Sequence, residues 1–178
     1  AIKESIDGAV GSHGAWLLAP YTDMPSTSGF NTTSLAEIEE AARLAREHDL
    51  QFCVHAIGDR ANRETLDVYE RVLGAEARTL DHRWRIEHAQ HLDAADVPRF
   101  AALGVVASMQ GIHCTSDGPW IADYVGELRA RAGAYVWRTL VDSGAVVSNG
   151  TDTPVEDVDP LASLAATVTR RMPDGRAF

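Results

Sequence analysis

Short runs of β-forming residues alternate along this chain with stretches of helical apolar periodicity, and that alternation limits the possible folds more than any other feature. Ser34 and Glu37 have the spacing of a capping box, and Leu35, Ile38, Ala41, Ala42 and Ala45 then place one apolar stripe on a helix that should end near His48. Residues 51–55 read as a strand, 61–73 as a helix with Leu66, Tyr69 and Val72 inward, and 84–88 as the next strand. Asp93 or Asp96 can cap a helix ending before Gly104. Residues 105–110 and 146–149 read as strands, 134–142 as a helix, and Asp159-Pro160 as the start of a last helix. A further strand opens the chain at Ala1-Ile2-Lys3.

Strands and helices alternating at these lengths imply parallel strands joined by right-handed crossovers, an α/β class. Barrel and open sheet both satisfy that pattern. No strand is followed by a G-x-G-x-x-G or G-x-x-x-x-G-K-[ST] loop, which removes the usual reason for a nucleotide-binding open sheet and favours the barrel. Residues 8–33, rich in Gly, Ser, Thr and Pro, are too long for an ordinary connection and are expected to be a functional βα loop or a lid. A net charge of −10 without a basic cluster excludes nucleic acid and anionic membrane surfaces as partners. Cys53 and Cys114 lack C-x-x-C spacing, so free thiols in a reducing, cytoplasmic setting are expected. The chain opens already in a strand and without Met, as a piece of a longer protein would.

The potential ligands fall in telling places. His55, His88 and Asp152 each stand at the C-terminal end of an expected strand, and Lys3 lies in another. In a barrel of parallel strands those ends converge on one mouth, where catalytic groups sit. Imidazole nitrogen and carboxylate oxygen are the donors that zinc and related divalent ions use at catalytic sites.

Four motifs in order carry a resemblance to the amidohydrolase superfamily, in its YtcJ-like, N-substituted-formamide-deformylase-like branch (amidohydrolase family 3). Val54-His55-Ala56-Ile57-Gly58-Asp59-Arg60-Ala61 resembles its fifth-strand motif, and Ile2-Lys3 through Asp7-Gly8 to Pro20-Tyr21 its fourth strand and loop. Arg85-Ile86-Glu87-His88-Ala89-Gln90 resembles the sixth strand, and Gly150-Thr151-Asp152-Thr153-Pro154 the eighth. The resemblance spans nearly the whole chain, with Gly111 where the branch usually has Pro and Thr151 where Ser is common. It implies a partial (β/α)8 TIM barrel, strands four to eight, over residues 1–178, with the first strands and a β-sandwich domain absent. It also implies Lys3, His55, His88 and Asp152 as ligands of one or two divalent ions, Zn2+ foremost. Asp152 would be the catalytic base toward a metal-activated water. A cationic lysine, with a pKa of about 10, cannot ligate, so Lys3 would act as a carbamate bridging two metals. The His-x-His pair of the superfamily's first strand is absent from these residues.

The implied activity is hydrolysis of an amide or other C–N bond, of N-formyl or N-acyl amine type, in a small molecule. Lactonase, cyclic-imide hydrolase, phosphotriesterase-like and non-catalytic metal-binding readings stand as alternatives, and the isolated chain is expected to be inactive and prone to homo-oligomerise. His113 and Trp120, on a loop expected over 112–132, are candidates for substrate binding. His48, His82 and His91 read as surface residues, and His13 is undecided. Glu87 reads as the partner of an ion pair between barrel and helices, and Asp59 as the cap of the helix after its strand, or else as support for His55.

Overall fold

A computed structural model describes residues 1–172 and 174–178. Its centre is a parallel five-stranded sheet in sequence order: β1 (Ile2–Ser5), β2 (Phe52–Ala56), β3 (Arg85–His88), β4 (Val106–Met109) and β5 (Val147–Asn149). The register pairs Lys3 with Cys53, Cys53 with Arg85, His55 with Glu87, and Glu87 with Ser108. Helix α1 (Leu35–Glu47) crosses from β1 to β2, α2 (Asp59–Leu73) from β2 to β3 and α3 (Val97–Leu103) from β3 to β4. Between β4 and β5 lie α4 (Gly111–Asp117), α5 (Ile121–Val125), α6 (Glu127–Gly133) and α7 (Trp137–Asp142), and α8 (Pro160–Thr169) follows β5 and packs on α4. Among the described residues no helix is long and apolar enough to cross a membrane.

The two faces of the sheet differ. Phe52, Val54, Ala56, Ile86 and Ala107 share one buried cluster with Ile38 of α1, Leu66 and Tyr69 of α2, Phe100 of α3 and Leu140 of α7. Because side chains alternate across a strand, Lys3, Cys53, His55, Arg85, Glu87 and Ser108 occupy the opposite face, and nearly all of them are polar. At the N-terminal end of the strands Phe52, Tyr69 and Trp84 pack edge to face, 5.1–5.9 Å between ring centres. Each such pair adds about 0.5–1.5 kcal/mol beyond the area it buries.

Local signals and tertiary contacts each set particular boundaries. The capping box forms as the sequence requires, with Glu37 N–H donating to Ser34 Oγ and the Glu37 carboxylate accepting from Ser34 N–H. Asp159 caps α8 by accepting from Leu161 N–H. The expected cap of α2 differs: Gly58 holds that position, and Asp59 Oδ1 accepts from Leu18 N–H at 2.8 Å as well as from Arg60 N–H. Asp59 therefore ties down the 8–33 segment. Residues 112–132 contribute to three short helices instead of an open loop, and α7 starts later than expected because Ala134 bridges to His91.

The 8–33 segment is held at several points. Arg60 and Ala61 N–H donate to Trp16 O, Leu17 N–H to Ser28 O and Thr32 N–H to Ile6 O, while the Arg60 guanidinium lies 4.6 Å from the Trp16 ring centre. The approach of Trp16 leaves no room at Gly58, where an added Cβ would stand 2.0 Å from Trp16 O. Gly58→Ala is therefore expected to destabilise the fold by about 1–3 kcal/mol, read as a lower denaturation midpoint with an unchanged slope. Wild-type stability in that variant would refute the close packing.

Candidate metal centre

The strand ends bring the expected site residues together. His55 is the penultimate residue of β2, His88 the last of β3, His113 lies in the first turn of α4, and Asp152 stands three residues beyond β5. With Lys3 of β1 and Trp120 just before α5, they line one cleft of about 440 Å³. All six candidates from the sequence thus share a single opening. Lys3 is exposed and sits nearer the middle of its strand than the others.

Three of these residues form a tighter group. One donor atom from each of His88, His113 and Asp152 lies within 4.8 Å of the other two. His88 Nδ1 is 2.9 Å from Gln110 Oε1, and the Gln110 amide is oriented by its Nε2–H donating to Ser108 O. That assigns the proton to Nδ1 of His88 and leaves Nε2 as the lone-pair donor. His113 is arranged likewise, with Nδ1 3.1 Å from Glu156 Oε1 and Nε2 3.5 Å from Asp152 Oδ2. Ser116 Oγ donates to the same Glu156 oxygen at 2.6 Å and holds it in place. The sequence assigned His113 to substrate binding; the structure groups it with His88 and Asp152.

His55 adds a fourth imidazole. Its ring centre is 4.5 Å from that of His88, and its Nε2 is buried without a hydrogen-bond partner, the Asp7 carboxylate lying too far away at 3.7 Å. Burial, helped by the neighbouring His88, lowers its pKa to about 4, so it stands neutral with a lone pair available. Burial also lowers the pKa of His88. Neutral imidazoles, a carboxylate and an unsatisfied buried nitrogen fit a divalent ion of the zinc type. The backbone is unusual here as well: His88, Ala89 and Asp152 have φ of 75°, 42° and 56°, a conformation that costs non-glycine residues energy and recurs at functional sites.

Several supporting residues carried no readable signal in the sequence. Asp7 is 2% exposed and accepts from the backbone N–H groups of Trp16, Ile57 and Gly58 at 2.8–3.0 Å. Desolvation outweighs those three bonds and raises its pKa to about 7. It lay inside a quoted motif without a role. Gln110 and Glu156, which orient the two imidazoles, were also missed, because each acts across a distance in sequence.

Other histidines and charges were misplaced. His91, expected at the surface, is 5% exposed and its Nε2 has no partner. His82 is half-buried between Leu103 O and Trp84 N–H. His13 settles as a structural residue, bonded to Asp23 at 2.8 Å and stacked on Tyr124. The Glu87 ion pair forms at 2.5 Å with Arg85 of the same strand, on the face away from the helices, so it joins no strand to a helix.

Comparisons with known proteins agree with this geometry. The profile of the amidohydrolase family matches residues 1–177. The chain is 37% identical over 172 residues to the Arabidopsis thaliana protein LONG AFTER FAR-RED 3, covering 97% of this chain and 29% of that protein. It is 35% identical over 171 residues to the YtcJ protein of Bacillus subtilis (strain 168), named as an amidohydrolase, covering 96% of this chain and 31% of that protein. An uncharacterized metal-dependent hydrolase from Pyrococcus furiosus superposes with a TM-score of 0.85 at 36% identity, over 99% of this chain and 36% of that structure. The chain thus spans less than a third of the length of these curated relatives.

The buried histidines make stability depend on pH. His91, like His55, has a folded pKa lowered to about 4, below its ordinary 6.5, because burial disfavours the charged form. Such a group contributes stability that is complete above pH 6.5 and is lost as pH falls toward 4. Asp7, raised from 3.8 to about 7, acts in the opposite sense, its contribution being complete below pH 3.8 and lost as pH rises to 7. Burial raises the pKa of Asp59 and Asp117 in the same sense as that of Asp7 and lowers that of His88 in the same sense as the other histidines, so the stability difference between neutral and acid pH is a sum of opposed contributions. His91 contributes on the order of 3 kcal/mol of that difference. Denaturant unfolding at pH 7 and near pH 4.5 should therefore show a smaller acid loss in His91→Gln than in wild type; equal losses would refute the neutral buried imidazole.

Proposed function

The chain belongs to the amidohydrolase family, and from that premise we propose that it carries the greater part of a divalent-metal site that hydrolyses an amide or related C–N bond of a small molecule. The observation behind this reading is the convergence of His88, His113 and Asp152 donor atoms within 4.8 Å at one end of the strands. We propose that these three hold the ion, most simply Zn2+, with His55 as a further ligand. Lys3, as a carbamate, would join only if a second ion is present. Residues 1–178 would form strands four to eight of a (β/α)8 barrel, a reading supported by helices packed on one face of the sheet and a polar opposite face.

A bound divalent ion lowers the pKa of water toward about 7 and polarises a carbonyl. The chain's own groups do the rest. Asp152 takes a proton from the attacking water, the oxygen adds to the carbonyl carbon, and the C–N bond breaks as the carboxyl passes that proton to nitrogen, so the amine leaves neutral. Glu156 and Gln110 hold His113 and His88 by Nδ1 and so present Nε2 to the ion. Val10, Ile57 and Trp120 give the cleft an apolar wall that binds the substrate and excludes water.

Two outcomes test this reading. In the full-length metallated protein, Asp152→Asn should fold normally and lose about 10²–10⁴-fold in turnover against N-formyl amines, N-acyl amines and lactones assayed side by side. Near wild-type turnover would remove Asp152 from the base role, and a preference for lactones would move the substrate class. By itself the 178-residue chain is expected to bind zinc weakly, hydrolyse nothing and self-associate. It leaves the edges of β1 and β5 unpaired and exposes Leu161, Leu164 and Val168 along α8. Light scattering on a size-exclusion column with zinc calorimetry checks both halves, and a monomer that binds zinc tightly and cleaves an amide would overturn them.

A further inference from the structure

One acidic group in the wall of the cleft has no part in the chemistry above. Asp117 closes α4, one turn beyond His113, and lines the cleft with Trp120. Its Oδ2 is saturated, accepting from Gln90 Nε2–H at 2.8 Å and from the Tyr135 hydroxyl. Its Oδ1 takes no hydrogen bond from any described residue and is not among the buried unpartnered atoms, so it keeps some access to solvent. Asp117 is half-buried, and no salt bridge to it occurs among the described residues. Burial raises its pKa, which marks a charge that would gain from an opposite one.

The surroundings select the ligand. Asp117, Asp152 and Glu156 line the cleft against one cationic lining residue, Lys3. Asp152 is assigned to the ion and Glu156 orients His113, whereas Asp117, held through Oδ2 by the neutral Gln90 and Tyr135 side chains, has no part in that group. Trp120 is fixed three residues on, its N–H donating to Asp117 O at 2.9 Å and its ring against Tyr124. A carboxylate and an aromatic side chain lining the same cleft form a combination that can recognise an ammonium group, through a charge-assisted hydrogen bond and a π face.

Resting on the hydrolase reading above, we propose that Asp117 is a specificity-determining residue that anchors a primary ammonium group of the substrate, so that the enzyme acts on amides carrying a second, cationic amine. Neutral amides of the same shape bind more weakly, and amides with a free carboxylate are disfavoured.

The test uses the full-length, zinc-loaded protein and two amides of equal length, one ending in an ammonium group and the other in a methyl group. Wild type should prefer the ammonium substrate, and Asp117→Asn should raise KM for it roughly 10–100-fold with kcat little changed, leaving the methyl substrate as before. Calorimetry with n-butylammonium chloride on the metal-free protein supplies a second readout: binding in wild type, lost in Asp117→Asn. Equal effects of the variant on both amides, or no ammonium preference in wild type, overturn the anchor, and the wild-type comparison decides even if the variant does not fold. If wild type cleaves no amide, the hydrolase reading fails, while butylammonium binding still decides whether Asp117 holds a cation.

Discussion

The Asp7 carboxylate accepts three backbone N–H groups, from Trp16, Ile57 and Gly58, in a place where almost no water reaches it. Much of the cleft depends on that arrangement. It fixes the chain just beyond β2, two and three residues after His55. It also pins Trp16, whose carbonyl then receives the N–H groups that open α2. A buried donor left without an acceptor costs about 1–3 kcal/mol, so losing the carboxylate would release three such donors together. The glycine at 58 follows from the same constraint, since only a residue without Cβ lets Trp16 come this close.

What could be read from the sequence was what local chemistry dictates. The capping box at Ser34 and the Asp159-Pro160 start of α8 involve residues a few positions apart, and both formed as the spacing required. Strand ends bearing His55, His88 and Asp152 were equally legible, because a parallel α/β alternation fixes which end of each strand is shared. Helices α4, α5 and α6 were not, since segments of five to seven residues are too short to establish a period. The burial of His91 depends on Ala134, Tyr135 and Asn62, brought to it by separate elements. Glu156 and Gln110 escaped notice for a related reason: their partners lie 43 and 22 positions away, and nothing local distinguishes them from other polar residues.

The strained backbone at His88, Ala89 and Asp152 has to be held from outside. Past β3, Ala89 is fully buried, His91 N–H donates to Ile57 O, and Tyr135 N–H donates to Gln90 O, so the turn is clamped on both sides. Past β5, Val155 N–H returns to Asp152 O and Thr153 Oγ1 donates to Glu156 O, which closes a tight loop around the carboxylate. These contacts offset a conformation that costs of order 1–3 kcal/mol per residue.

The strain and the polar supports serve the same end. Positive φ turns His88 away from the direction its strand would give it, and Gln110 then fixes the rotation of its ring. His113 reaches the same place from a helix, with Glu156 of the β5–α8 loop setting its ring. Donors from β3, α4 and the β5–α8 loop lie within 4.8 Å of one another, and both imidazoles among them are held by a residue from another element. The same helix that delivers His113 also delivers Asp117 one turn later, so a single short element sets both the position of one metal-site imidazole and that of an acid lining the same cleft.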